Sequence, residues 1–173
     1  TWSITKPFDT PNDVPLTSTL TAYNIVIWSA PLDSPGIVGA DAALRGFLSQ
    51  GGKLLLSGQD VAFFDGGGSI PGTVPYFRNY LKAQYIQDNS EVYTVTGVVD
   101  APLAGLFLTI AGGDGADNQA SPDVIGNADS DFAGALLTYG ADERLAGLHV
   151  GLCVPYRAIL LPRNLNTPGQ ANC

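Results

Sequence analysis

The chain has 173 residues, of which 45% are apolar and 14% are charged, enough for one domain with a sizeable buried core. Its 16 Asp and Glu residues outnumber its 8 Lys and Arg residues, which gives a formal net charge of −8. Such a surface repels nucleic acid, because phosphate binding needs clustered Lys and Arg. No apolar run reaches the roughly 18 residues of a membrane-spanning helix. The sequence therefore predicts no nucleic-acid partner and no membrane span, and its acid surplus fits cation binding or plain solubility.

The first predicted elements form a βαβ unit. Residues 1–22 are expected to be an extended entry segment, after which Tyr23–Trp28 is a nearly continuous apolar run, typical of a strand covered on both faces. A helix is predicted over Ala40–Gln50, because apolar residues recur there at spacings of three and four and two glycines follow its end. The second strand is predicted at Lys53–Ser57. Parallel-sheet proteins place their chemistry in the turn after such a strand, here Gly58–Asp60.

Shorter elements are predicted beyond this turn. Thr73 is expected to cap a second helix that carries Pro75 in its first turn. Strands are predicted at Glu91–Val99 and Leu106–Ile110, and the polar segment between 111 and 131 is expected to be a loop outside the core. Three closely spaced strands then favour antiparallel hairpins: Ala135–Tyr139, Leu145–Val154 and Tyr156–Leu161.

In this order the elements predict an α/β fold, with a mainly parallel sheet flanked by helices and antiparallel strands at its C-terminal end. Residues 1–161 are expected to form a single domain, followed by an irregular tail over residues 162–173. The two cysteines, Cys153 and Cys173, permit one disulfide that closes this tail. The alternative is a buried Cys153 and a free Cys173. The sequence leaves both arrangements open.

Three stretches of the sequence resemble a known family. They are the strand Tyr23–Trp28, the string GGKLLLSGQD at Gly51–Asp60 and the segment GGDGADNQASPD at Gly112–Asp123. Together they resemble class I glutamine amidotransferase-like domains, which have a flavodoxin-like fold and are attached to large secreted bacterial surface proteins. Relative to that group the chain is trimmed at both ends, so an edge of its sheet is expected to be open to a strand from another chain. The resemblance implies an extracellular or cell-surface location.

The chemistry of that family is not expected in this chain. An amidotransferase needs a Cys thiolate on the turn after its central strand, and the matching turn, Ser57–Asp60, contains no Cys. Ser57 lacks the Gly-x-Ser-x-Gly context of a hydrolase nucleophile, and the single histidine, His149, lies within a predicted strand. Gln59 and Asp60 still lie where open α/β sheets bind ligands. Their alternative roles are structural: Gln59 would hydrogen-bond the backbone of the turn, and Asp60 would cap the helix that follows. No catalytic residue is predicted, and Gln59, Asp60 and His149 are the candidate ligand-binding residues.

The candidate metal ligands lie in the glycine-rich, acidic segment that begins at Gly112. Asp114, Asp117, Asn118 and Asp123 offer carboxylate and amide oxygens, the ligand type that calcium prefers. Their spacing matches neither the EF-hand loop nor the Gly-Gly-x-Gly-x-Asp repeat, and a solvated loop with local turns is the alternative. Calcium is the one cofactor that the sequence suggests.

These observations favour a non-enzymatic extracellular structural or interaction module that assembles into a surface or filament structure. Its partner would be a protein, including further copies of the chain joined through sheet edges or termini. One alternative is a hydrolase or small polar-ligand-binding domain that uses the Gln59–Asp60 turn together with His149. Another is an accessory domain of a secreted peptidase. The hydrolase alternative requires the three side chains to line one pocket.

Overall fold

A computed structural model of the chain describes residues 14–30, 34–69, 72–111, 119–151 and 153–161. Of these described residues, 33% lie in strands and 17% in helices. The described helices are short: α1 Thr17–Leu20, α2 Asp41–Ser49, α3 Val61–Asp65 and α4 Pro75–Asn79. The described strands are β1 Ile25–Ser29, β2 Lys53–Ser57, β3 Ala83–Gln87, β4 Thr94–Gly97, β5 Phe107–Thr109, β6 Val124–Asn127, β7 Ala133–Tyr139, β8 Leu145–Val150 and β9 Arg157–Leu161.

All nine of these strands belong to one mixed, curled sheet that resembles half of a barrel. Its main path runs β1-β2-β9-β8-β7-β4-β5. Strand β7 pairs along one edge of β8, while the other edge is shared between β6, at Leu145, and β9, at Leu148–Val150. Strand β6 pairs with β3 on its far side. The sheet therefore divides at β8.

The prediction of a mainly parallel sheet flanked by helices is wrong. The βαβ unit itself is confirmed, since β1 and β2 are parallel neighbours connected through α2. Among the described strands, however, parallel pairing is confined to β1–β2 and β2–β9. A parallel neighbour needs a long crossover, usually a helix, and the described residues between β3 and β9 form none. Antiparallel pairing follows.

The helices pack against one face of the sheet. Buried residues of all four helices, such as Leu20 of α1 and Phe47 of α2, share one core with strand residues such as Leu54. The neighbouring residue Leu55 packs instead against a second core. Because successive residues of a strand point to opposite faces, this second core lies on the other side of the sheet. Its described members come from strands and loops, among them Val95, Leu136, Leu137, Tyr139 and Leu161.

Strand β1 has one exposed face, so the prediction that both its faces are covered is wrong. Val26 and Trp28 pack against the core beneath the helices. Ile25 and Ile27, on the other face, are 59% and 72% exposed. The difference arises because the described helices cover one face of the sheet and the second core lies farther along, beneath β4 and β7.

Two strands and one cap differ from the sequence prediction. Strand β3 is not predicted at all, and β6 lies inside the polar segment expected to be outside the core, although Val124 and Ile125 are each 2% exposed. Two apolar residues among Gly, Asp and Asn are too few to show the alternation that identifies a strand. The N-cap of α4 is Val74 rather than Thr73, whose hydroxyl donates to the Gly66 carbonyl oxygen at 3.1 Å.

A buried carboxylate, Asp65 at the end of α3, ties the helical layer together. It accepts hydrogen bonds from Ser34 Oγ at 2.7 Å, from the Gly36 N–H at 2.9 Å and from the Tyr76 hydroxyl. Burial raises the pKa of Asp65, and the three hydrogen bonds oppose that rise. Asp65 therefore fixes α3 to α4 and to the loop before α2.

Replacing Tyr76→Phe tests this clamp, because it removes one donor from a carboxylate that water does not reach. The free energy of unfolding is expected to fall by about 1–3 kcal/mol in urea denaturation at neutral pH. Tyr23→Phe is the matched control, since Tyr23 is 41% exposed, and its effect should stay within about 0.5 kcal/mol. Equal losses in the two variants would contradict the clamp.

Candidate metal centre

Three aspartates from separate parts of the sequence meet beside the turn that follows β2. Asp60 lies in that turn, Asp88 follows β3, and Asp123 immediately precedes β6. One carboxylate oxygen of each can be chosen so that all three oxygens lie within 4.8 Å of one another. Asp123 is fully buried, Asp60 is partly buried and Asp88 is exposed. The cluster thus extends from the interior to the surface.

The turn that carries Asp60 leaves the sheet through a glycine. A Cβ on Gly58 would lie 2.2 Å from the Ala30 carbonyl oxygen, so a side chain here would collide with backbone. The Gly58 N–H donates to the Leu161 carbonyl oxygen at 3.1 Å, which continues the β2–β9 pairing one residue beyond the strand. This close packing fixes where Gln59 and Asp60 emerge.

Gln59 joins that turn to the segment before β6. Its carbonyl oxygen accepts from the Asp123 N–H at 3.1 Å. Its side-chain Oε1 accepts from the Ala120 N–H at 2.9 Å and from the Ser121 N–H at 3.4 Å. The main chain and side chain of one residue therefore bind three positions of the neighbouring segment, and they place Asp123 next to the turn.

The residues after β3 are attached to the same segment. Ser121 Oγ donates to Asp88 Oδ1 at 3.3 Å. The Ser90 N–H donates to the Pro122 carbonyl oxygen at 3.0 Å. These contacts hold Asp88 at the exposed rim of the cluster.

Asp123 is a fully buried carboxylate, and one of its two oxygens accepts a hydrogen bond. Oδ2 accepts from the Phe63 N–H, in the first turn of α3, at 2.8 Å. Oδ1 is also buried and has no hydrogen-bond partner. Burial raises the pKa of Asp123 to about 9, and the charges of Asp60 and Asp88 add to the rise, while the N–H groups of Phe63 and Ala62 oppose it. A buried acid oxygen without a donor calls for a positive partner.

Asp60 has a different role from the helix cap that its position allows. It occupies the N-cap position of α3, but its side chain forms no capping hydrogen bond. Burial raises the pKa of Asp60, the charge of Asp88 raises it further, and a hydrogen bond with the Gln59 side chain opposes both. Its carboxylate belongs to the acid cluster instead of the helix end.

No basic side chain pairs with the cluster within the described part of the chain. The salt bridges there use other acids: Arg45–Asp41, Lys82–Asp129 and Arg144–Asp142. Carboxylates that share a site repel one another, which destabilises the ionised state. Carboxylate oxygens are also the ligands that hard divalent cations use in proteins. The three aspartates can therefore hold a metal ion.

The structure brings together residues that the sequence analysis assigns to two separate sites. Gln59 and Asp60 are predicted there for a polar ligand and Asp123 for a metal, and they meet in one place. Asp88 is missed, because the strand that it follows is not recognised in the sequence. The other predicted metal ligands lie outside the described residues: Asp114, Asp117 and Asn118.

His149 lies away from this cluster. It is in the interior of the sheet on β8, paired with Gly134 of β7 and with Ile159 of β9. A Cβ on Gly134 would lie 2.5 Å from His149 Nε2, so the imidazole occupies the space above that glycine. Burial alone lowers the pKa of His149, with no contribution from a carboxylate. Of the three candidate ligand-binding residues, the structure unites Gln59 and Asp60 and leaves His149 apart.

The cysteine prediction is tested in part. Cys153 is exposed, so the alternative in which it is buried is wrong. Cys173 lies outside the described residues, and the Cys153–Cys173 disulfide stays a prediction.

Comparison of the chain with protein-family models, with curated proteins and with solved structures found no match. The resemblance to amidotransferase-like domains therefore stays a prediction from sequence motifs. Across the described ranges, no helix has both the length and the apolar character needed to cross a bilayer.

Asp123 is expected to make the stability of the cation-free protein depend on pH. The unfolded chain releases this proton at about pH 4, whereas the folded protein keeps it until its pKa of about 9. Between these values the folded state binds one more proton than the unfolded state. The free energy of unfolding therefore falls as the pH rises, by up to about 1.4 kcal/mol per pH unit.

Urea denaturation in EDTA between pH 5 and pH 8 measures this dependence. Asp123→Asn should make the decline shallower, because Asn has no proton to release over this range and its amide oxygen still accepts from the Phe63 N–H. A decline of the same slope in wild type and Asp123→Asn would show that another group is responsible.

Proposed function

We propose that the chain is a non-enzymatic structural or interaction module that binds one calcium ion through Asp60, Asp88 and Asp123. The observation that carries the proposal is Asp123 Oδ1, a buried oxygen without a hydrogen-bond partner beside two further carboxylates. Leaving such an acceptor unpaired costs about 1–3 kcal/mol, and more when it is charged. A bound cation supplies the missing partner and ends the repulsion within the cluster.

The ligand chemistry favours calcium among the common divalent ions. Zinc prefers sulfur and nitrogen ligands, and the cluster consists of carboxylates. The three oxygens lie within 4.8 Å of one another, close enough for one ion to contact all of them. Magnesium keeps several of its waters and is usually bound through one or two carboxylates, whereas this cluster offers three. Since Asp88 is exposed, water can complete the six to eight oxygens that calcium takes.

The position of the ligands supports a structural role for the ion. Asp60, Asp88 and Asp123 belong to three segments that are far apart in the sequence, and one ion would cross-link all three. The deepest ligand, Asp123, is closed off from solvent and bonded to the first turn of α3. An ion held there stabilises the carboxyl end of β2 by binding to the folded state alone.

Extracellular location and assembly complete the proposal. Extracellular calcium-binding modules bind in the range of about 0.1–1 mM, an affinity that suits a site with few protein ligands. Copies of a chain with a net charge of −8 repel one another, and a bound cation weakens that repulsion. Calcium would therefore favour association of the module with further copies of itself through sheet edges or termini.

Calcium is expected to bind the wild-type chain with a stoichiometry of one and to raise its melting temperature. Asp123→Asn should weaken binding at least tenfold, because it removes the charge of the deepest ligand. The matched control is Asp131→Asn, which removes one charge from an exposed acid before β7 that lies outside the cluster. Isothermal titration calorimetry and thermal unfolding measure both effects. Equal losses in the two variants would contradict the assignment of the site.

Assembly is tested separately by light scattering and negative-stain microscopy in millimolar calcium and in EGTA. Ordered polymers are expected in calcium, and they should dissociate when calcium is chelated. A monomer that binds calcium without associating would contradict the assembly part of the proposal and leave the metal site intact.

A further inference from the structure

We propose that Gln59 is the positioning residue of this site: it holds residues 120–123 against the turn after β2, so that Asp60 and Asp123 converge before the ion binds. The inference rests on the proposed calcium site. Gln59 is not itself a ligand, but its contacts determine how far the ligands must move when the ion binds.

The contacts of Gln59 reach both of the ligands that lie deepest in the cluster. Its carbonyl oxygen accepts from the Asp123 N–H at 3.1 Å, which fixes the backbone of that ligand directly. Its Oε1 accepts from the Ala120 and Ser121 N–H groups, at 2.9 and 3.4 Å. Its side-chain amide also lies close enough to the Asp60 carboxylate to oppose the rise in the pKa of that acid. Gln59 is thus bonded to Asp123 and to the segment that carries it, and it directly precedes Asp60 in the turn.

Repulsion within the cluster explains why such a residue is needed. Without an ion, Asp60 and Asp88 repel each other, and both oppose ionisation of Asp123. The hydrogen bonds of Gln59 act in the opposite direction and do not depend on the ion. A site held together in advance loses less conformational freedom when the ion binds, which strengthens binding.

Two substitutions at this position separate the tether from the other effects of the side chain. Gln59→Ala removes both the acceptor for the Ala120 and Ser121 N–H groups and the donor to Asp60. Gln59→Glu keeps an acceptor oxygen at the same distance, loses the donor and adds negative charge beside the cation. Gln50→Ala is the control, because Gln50 is an exposed residue at the end of α2 that bonds the Gly46 carbonyl oxygen.

If Gln59 acts as a tether, Gln59→Ala should weaken calcium binding about 10- to 100-fold in titration calorimetry. Gln59→Glu and Gln50→Ala should bind at least as tightly as wild type. Terbium(III) provides a second readout, since its luminescence lifetimes in H₂O and D₂O count the waters on the bound ion. Terbium in Gln59→Ala should carry at least one more water than in wild type, because one carboxylate no longer reaches the ion.

The outcomes separate this inference from the proposed function. Wild type that binds neither calcium nor terbium overturns the site itself. Wild type that binds, together with Gln59→Ala of equal affinity and equal hydration, overturns the role of Gln59 alone. Equal losses in Gln59→Ala and Gln59→Glu also overturn it, because the tether survives in the second variant. If Gln59→Ala fails to fold in EDTA, Gln59→Asn replaces it, since its shorter side chain cannot span both segments, and the same loss is expected.

Discussion

The pairing of β2 with parallel neighbours on both sides is the interaction on which the rest of the structure depends. It places β1 and β9 in register with β2, and it buries Leu54 and Leu56 beneath the helices. The same pairing connects the βαβ unit to the antiparallel part of the sheet, because β9 also pairs with β8. It ends at Gly58, which has no room for a side chain, so the chain must turn there. Gln59 and Asp60 therefore emerge at a fixed point beside the segment before β6.

Two buried aspartates contact α3 and differ in their hydrogen bonding: Asp65 is its last residue, and Asp123 bonds its first turn. Asp65 receives donors on both oxygens, from Ser34, Gly36 and Tyr76, and its role is to connect segments. Asp123 contacts the start of the same helix through the Phe63 N–H, and its second oxygen has no partner. Both are fully buried, so burial alone does not distinguish an acid with donors on both oxygens from one with an unpaired oxygen. The distinction comes from counting donors and neighbouring charges.

The sequence predicts the parts of this structure that depend on local patterns and misses those that depend on contacts between distant residues. The βαβ unit is predicted because Tyr23–Trp28 is a local apolar run, and because Ala40–Gln50 has helical periodicity and is followed by two glycines. The division of the sheet at β8 is not predicted, since it depends on β6 pairing with both β3 and β8, which are distant in the sequence. The candidate site is likewise predicted only in part. Asp60 is found from its place in the turn after β2, and Asp123 from the acidic segment that contains it. Asp88 is missed because it follows β3, a strand with no sequence signal.

The charge distribution of the chain leaves the cluster without a basic partner among the described residues. Ten acids and no Lys or Arg lie between Lys82 and Arg144, so the sequence around Asp88 and Asp123 supplies no local base. An arginine beside Asp123 would neutralise it permanently, as Arg144 does for the exposed Asp142. A site built from acids alone is neutralised by protons at low pH and by metal ions at higher pH. With calcium bound as proposed, the stability of the carboxyl end of β2 would follow the calcium concentration around the protein.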